Sequence, residues 1–220
     1  MKLIVFDMDG TLIDTHGLIT EQMTLTFTGA GLPAPTVEAS RRVIGLSLPV
    51  AIGRLAESED PVLIDTLVNS YRTNYRATLE IAADREPLFP GTREALDRLR
   101  ADEQALLGIA TGKGLNGVNR ILGVHGLSEH FVTLQTPDHN PSKPHPGMLL
   151  RAMAETGADP AETIMVGDTT FDIELANAAG VRSVGVTWGY HDRSDLVGAG
   201  ATILIDRYDE LDAALASLLE

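Results

Sequence analysis

The chain has 220 residues, no cysteine, one tryptophan and a formal charge of −14 from 17 basic and 31 acidic side chains. Without cysteine there is neither a disulfide framework nor a thiolate metal site, and the acidic balance argues against nucleic acid or an anionic membrane as partner, since both require a basic footprint. No apolar run of about 18 residues and no signal-peptide pattern is present, so the chain is expected to be soluble and cytoplasmic, with no membrane span.

The apolar run Leu3–Phe6 reads as a buried strand. After Asp14 the strand-like pattern stops until about residue 105. Segments 17–29, 36–57 and 61–83 carry helix-type spacing, as in Leu55, Leu63, Leu67 and Tyr71. Gly29–Pro33 and Ser58–Pro61 look like breaks between helices. Residues 15–85 are therefore expected to form a small all-helical unit.

From Pro87 the pattern changes. Thr92, after Pro90-Gly91, reads as an N-cap for a helix running to about Arg100. Strands are expected at Ala105–Thr111, Phe131–Gln135, Thr163–Val166, Val181–Val186 and Ile203–Ile205. Helices are expected near 115–122, Pro146–Thr156, 171–179 and 208–219. This alternation implies an α/β fold: a doubly wound parallel sheet, with residues 1–14 and 86–220 as core and 15–85 as an insertion.

Four short segments fall at the carboxyl ends of expected strands, the edge where ligands bind in open α/β sheets. They are Asp7-Met-Asp9-Gly10-Thr11, Ala110-Thr111-Gly112-Lys113, Ser142-Lys143-Pro144, and Gly167-Asp168-Thr-Thr-Phe-Asp172. Acids two apart on extended chain point the same way, so one can attack or bind a metal while the other moves protons. Together the segments supply four acids, a hydroxyl beside a glycine, and lysines. That set suits metal-assisted phosphoryl transfer through an aspartyl-phosphate: a carboxylate nucleophile, hard oxygen ligands for Mg²⁺, and donors for the phosphoryl oxygens.

In these motifs, and in their order, the chain resembles the haloacid-dehalogenase-like phosphohydrolases, in the subgroup that includes phosphoglycolate phosphatase. The resemblance spans nearly the whole chain. It implies a Rossmann-like core with a helical cap inserted after the first motif. It implies Asp7 as nucleophile and Asp9 as general acid and then base. Thr111 would hold a phosphoryl oxygen, and Lys143 would neutralise charge and orient Asp7. Mg²⁺ would be held by Asp7, the Asp9 carbonyl and Asp168, with Asp172 in support. Gly10 and Gly112 would allow close backbone approach to the phosphate. Lys113 and Arg41 are candidates for substrate contact, as is Arg42.

Chemistry narrows the subgroup. Dehalogenases of the superfamily lack an acid at the position of Asp9. Phosphonate-cleaving relatives use a cap lysine, and residues 15–85 contain no lysine. Sugar-phosphate mutases carry an arginine directly after the serine of a Gly-Leu-Ser turn, where this chain has Leu48. One departure concerns the second motif, which reads Thr111-Gly112-Lys113 where many phosphoglycolate phosphatases have Thr-Asn-Lys. The expected activity is thus hydrolysis of a small phosphorylated metabolite, phosphoglycolate first, by a monomer or homodimer. A phosphomutase, a receiver-like phospho-acceptor and a non-catalytic binding protein are the alternatives. His125, His130, His139, His145 and His191 show no metal-ligand spacing, and Trp188 reads as a packing residue.

Overall fold

The computed structural model describes residues 1–82 and 85–219. Six parallel strands form one sheet in the order β3-β2-β1-β4-β5-β6. They are β1 (Lys2–Phe6), β2 (Ala105–Ala110), β3 (Thr133–Gln135), β4 (Thr163–Gly167), β5 (Arg182–Val186) and β6 (Ile203–Ile205). The central strands β1 and β4 are buried on both faces, which is why they read as continuous apolar runs rather than alternating ones. One face packs Ile4, Phe6, Ile164 and Val166 in a large cluster with Leu96, Val118 and Leu215. The other packs Leu3, Val5 and Met165 against Met148, Ala152 and Leu175.

Helices α1 (His16–Gly29), α2 (Val37–Arg41), α3 (Leu48–Leu55) and α4 (Pro61–Ile81) lie in the chain between β1 and α5 (Thr92–Arg100). They share their own buried cluster, from Ile19, Met23 and Phe27 to Ile52, Leu67 and Tyr71, which also takes in Phe171 and Tyr190 from the sheet unit. The two chain crossings into this segment pair with each other: Ile13 bridges Leu88, Asp14 N–H donates to the Pro87 carbonyl, and Phe89 N–H to that of Leu12.

The remaining helices are α6 (Leu115–Val124), α7 (Gly147–Thr156), α8 (Thr170–Ala179), α9 (Arg193–Gly198) and α10 (Leu211–Leu219). Among the described residues, no helix is long and apolar enough to cross a membrane.

Local chemistry accounts for the helix starts. Asp60 accepts from the Val62 N–H at 3.0 Å, with Pro61 as first helical residue of α4. Thr169 and Asp172 form a reciprocal capping box at the start of α8.

Several expectations need correction. The segment 36–57 is two helices, because the chain turns through Arg42–Ser47 and Pro49 opens α3. Thr92 is the first helical residue of α5 rather than its cap; Gly91 holds the cap position, and the Thr92 hydroxyl donates to the Leu12 carbonyl. The closing helix begins with a 3₁₀ turn at Tyr208–Glu210. Helix α9 was not expected at all, since it is short and polar with Leu196 as its buried residue. The expected end of α4 at residue 83 lies outside the described residues. Leu96→Ala, which empties a fully buried site on α5, should lower stability by about 2–5 kcal/mol in urea unfolding. A loss under about 1 kcal/mol would contradict the packing described.

Candidate active site

The parallel register brings the four motif loops to one edge of the sheet. Asp7 follows β1 and is anchored by its N–H to the Val166 carbonyl at 3.0 Å. Thr111 follows β2, Asp168 follows β4, and Lys143 lies in the loop between β3 and α7. Asp7, Thr111, Lys143, Asp168 and Asp172 are all almost completely buried.

Lys143 is the centre of the cluster. Its ammonium lies 2.5 Å from Asp172 Oδ1 and 3.1 Å from Asp7 Oδ1. Asp7 Oδ1 also accepts from the Met8 N–H at 2.7 Å, while Asp7 Oδ2 is buried with no partner among the described residues. Asp172 Oδ2 accepts from the Thr169 N–H and hydroxyl. Asp168 accepts from the Thr11 hydroxyl at 2.7 Å and from the Tyr190 N–H at 2.9 Å.

Burial pushes the Asp7 carboxyl up to about 7; Asp172 and Asp9 act in the same direction and Lys143 opposes them. Burial likewise raises Asp168 well above the usual carboxylate range, helped by Asp172 and Asp7. Burial disfavours the Lys143 ammonium, but Asp172 and Asp7 outweigh it and raise its pKa.

Three buried acids around one ammonium leave an excess of negative charge. Asp7, Asp168 and Asp172 each offer an oxygen within 4.8 Å of the others. With Asp7 Oδ2 unpartnered, this all-oxygen set fits a hard divalent cation.

Asp9 belongs to a neighbouring group. Its Oδ1 accepts from the Thr15 hydroxyl at 2.7 Å and lies 3.3 Å from the Lys113 ammonium. Lys113 is thus brought to the acid pair, and its pKa is raised: burial opposes the charge, but Asp9 and Glu86 prevail.

Gly10 adopts a left-handed conformation (φ 89°) and presses against the Asp168 carboxylate, where a side chain would collide. Gly112 faces the carbonyls of Gly45 and Leu46 so closely that a Cβ would run into both. The Thr111-Gly112 turn can therefore lie directly under the Arg42–Ser47 turn, and the Ser47 N–H donates to the Ser142 hydroxyl at 2.9 Å.

The structure does not bring Arg41 to this cluster. Its guanidinium donates to the Tyr190 carbonyl at 2.8 Å, away from the cavity. Arg42 is exposed and paired with Glu38. A cavity of about 590 Å³ opens between the motif loops and the helical segment, with Asp7, Asp9, Thr111 and Lys113 on one side and Ile19, Met23, Tyr71 and Tyr75 on the other.

Sequence reasoning missed Thr15, Tyr190 and Glu86, all of which touch motif residues or their partners. Thr11 is in the first motif as read, and its hydroxyl contact with Asp168 is what the sequence did not reveal. His191 accepts from the Thr170 N–H, and burial lowers its pKa. Trp188 packs, as read, and its Nε1–H donates to the Thr11 carbonyl at 3.1 Å.

Two outcomes are expected. Gly112→Ala should force the Arg42–Ser47 turn off the core and lower kcat/KM by roughly 10- to 100-fold; unchanged activity would show that the close approach is dispensable. The second concerns pH in metal-free protein. Asp7 rises from 3.8 to about 7 on folding, so its stability contribution is full below pH 3.8 and lost as pH rises through 7. The midpoint of thermal unfolding should fall across that window, and either a divalent cation or Asp7→Asn should flatten the fall. A midpoint that behaves the same in wild type and Asp7→Asn would contradict the electrostatics described.

The model of the family described as haloacid dehalogenase-like hydrolases matches residues 4–186. The "Probable phosphatase IndB" of Dickeya dadantii is 35% identical, covering 99% of this chain and 95% of that protein. A "Phosphoglycolate phosphatase" of Agrobacterium fabrum is 34% identical, over 97% of this chain and 91% of that one. The crystal structure of a hydrolase from Pseudomonas syringae shares the fold over the full length of both chains, at a TM-score of 0.88 and 23% identity. The chain belongs to the haloacid dehalogenase-like hydrolases and is a phosphatase of that family.

Proposed function

We propose that the chain is a Mg²⁺-dependent phosphomonoesterase that acts on a small phosphorylated metabolite through a phosphoaspartate on Asp7. The observation that carries this reading is the buried, unpartnered Asp7 Oδ2, held beside Lys143 at the cavity wall. Residues 15–85 serve as a helical cap over a core of 1–14 and 86–220, and exclude water from the reacting groups.

Asp7, the Asp9 carbonyl and Asp168 would hold Mg²⁺, with Asp172 in support; the ion supplies positive charge for the transferring phosphoryl oxygens. Asp7 attacks phosphorus through a carboxylate oxygen, and the bond to the leaving oxygen breaks. Asp9 gives that oxygen a proton, then takes one from the water that attacks the phosphoaspartate. The Thr111 hydroxyl and the backbone at Gly10 and Gly112 hold phosphoryl oxygens. Lys143 balances the charge on Asp7 and the incoming phosphoryl group.

The relatives make phosphoglycolate the first compound to test, in a cytoplasmic enzyme working as monomer or homodimer. Arg41 is not part of this reading, because it is engaged with Tyr190. Leu48, which lines the cavity where mutases place an arginine, favours hydrolysis over mutation of a sugar phosphate.

Phosphate release should be measured across a panel of phosphorylated metabolites, phosphoglycolate included, with Mg²⁺ and with a chelator. Wild type should release phosphate only with Mg²⁺, and Asp7→Asn should be inactive while remaining folded. Release by Asp7→Asn near the wild-type rate would refute the assignment. Isomerised product without released phosphate would favour the mutase.

A further inference from the structure

Glu86 carries a buried carboxylate that the reaction just described does not use. It lies in the crossing between α4 and α5 and is 4% exposed. Its carboxylate accepts from the Tyr75 hydroxyl at 2.5 Å, pairs with the Arg120 guanidinium at 2.6 Å, and lies 4.0 Å from the Lys113 ammonium. Its backbone carbonyl meets His125 Nε2 at 2.8 Å. One side chain thus joins α4, α6 and the loop after β2. Holding the crossing does not require a carboxylate, since Ile13–Leu88 pairing and the His125 contact already do so. A buried carboxylate is costly unless its charge is matched, so the placement of Lys113 against it calls for an explanation.

Lys113 stands between two acids. On one side is Asp9 Oδ1 at 3.3 Å; on the other are Glu86, the Tyr75 hydroxyl at 3.5 Å and the Tyr75 ring, whose centroid is 5.1 Å away. A lysine on its flexible four-carbon stem has no fixed ammonium position of its own. Glu86 and Tyr75 supply the second anchor. Lys113 and Thr15 both meet Asp9 on Oδ1, which leaves Oδ2 to carry the reacting proton.

We propose that Glu86 is a positioning residue for proton transfer: with Tyr75 it fixes the Lys113 ammonium, and Lys113 with Thr15 fixes the Asp9 carboxylate toward the leaving oxygen. The proposal rests on the reading of Asp9 as the acid that protonates the leaving alcohol. It has a chemical signature that loss of packing lacks. An alkyl alkoxide needs a proton to leave; a p-nitrophenolate does not.

The test is the first-turnover rate of leaving-group release, by rapid quench with Mg²⁺. It compares p-nitrophenyl phosphate with the alkyl phosphate of the panel that wild type hydrolyses fastest. Glu86→Gln should slow the alkyl substrate by roughly 10- to 100-fold and p-nitrophenyl phosphate by less than about threefold. KM for the alkyl substrate should change little. Equal slowing of both substrates would make Glu86 a structural residue and overturn the proposal, as would no slowing of either. Tyr75→Phe, which keeps the ring and removes the hydroxyl that meets Glu86 and Lys113, carries the same expectation and the same refutation, and decides the matter if Glu86→Gln does not fold. Asp9→Asn, run alongside, separates the two levels. If Asp9→Asn slows the alkyl substrate selectively and the Glu86 and Tyr75 variants do not, the positioning proposal fails alone. If Asp9→Asn slows both substrates alike, the reading of Asp9 fails and the Glu86 proposal with it.

Discussion

The site depends on one buried ammonium. Lys143 is fully enclosed, with its charge between Asp7 and Asp172 and with Asp168 nearby. A single lysine cannot neutralise three carboxylates, and burial, with the neighbouring acids adding to it, pushes Asp7 and Asp168 toward the protonated form. The sheet pays this cost because parallel strands present their carboxyl ends at one edge, so loops from β1, β3 and β4 converge on the same point. The excess charge is the feature that suits the site to a hard cation and, beyond it, to a phosphoryl group.

The same logic answers the problem set by the net charge of −14. A phosphorylated ligand approaching this chain meets an unfavourable global field. Lys113, Arg72, Arg76 and Arg120 line the cavity, so positive charge is gathered on its wall. Much of it is held in place by acids: Lys113 by Asp9 and Glu86, and Arg120 by Glu86. The Arg42–Ser47 turn sits over Gly112, so the helical segment reaches down to the motif loops themselves.

The sheet and the acid cluster were legible in the sequence because their signals are local. Leu3–Phe6 and Ile164–Val166 are unbroken apolar runs; Asp7 follows the first directly, and Asp168 follows the second after Gly167. Boundaries that depend on tertiary contact were not legible. In 36–57 only Gly45, which takes a left-handed conformation, and Pro49 mark the break at Arg42–Ser47, and the turn they allow closes over Gly112 and Ser142. Arg41 was placed by its sequence neighbourhood, but in three dimensions the Tyr190 carbonyl claims it. Glu86, an acid before a proline in an unremarkable stretch, gives no sign that it will meet Tyr75, Arg120 and Lys113. Each of these partners comes from a different element, and only the folded chain assembles them.

The central claim is that Asp7 receives the phosphoryl group. Asp9→Asn enzyme, incubated with Mg²⁺ and substrate labelled in its phosphate, should accumulate acid-stable label because water activation is lost after attack. Proteolysis should place that label on the peptide containing Asp7. Label on a peptide lacking Asp7, or phosphate released in a first turnover with no labelled protein at any time, would contradict the account.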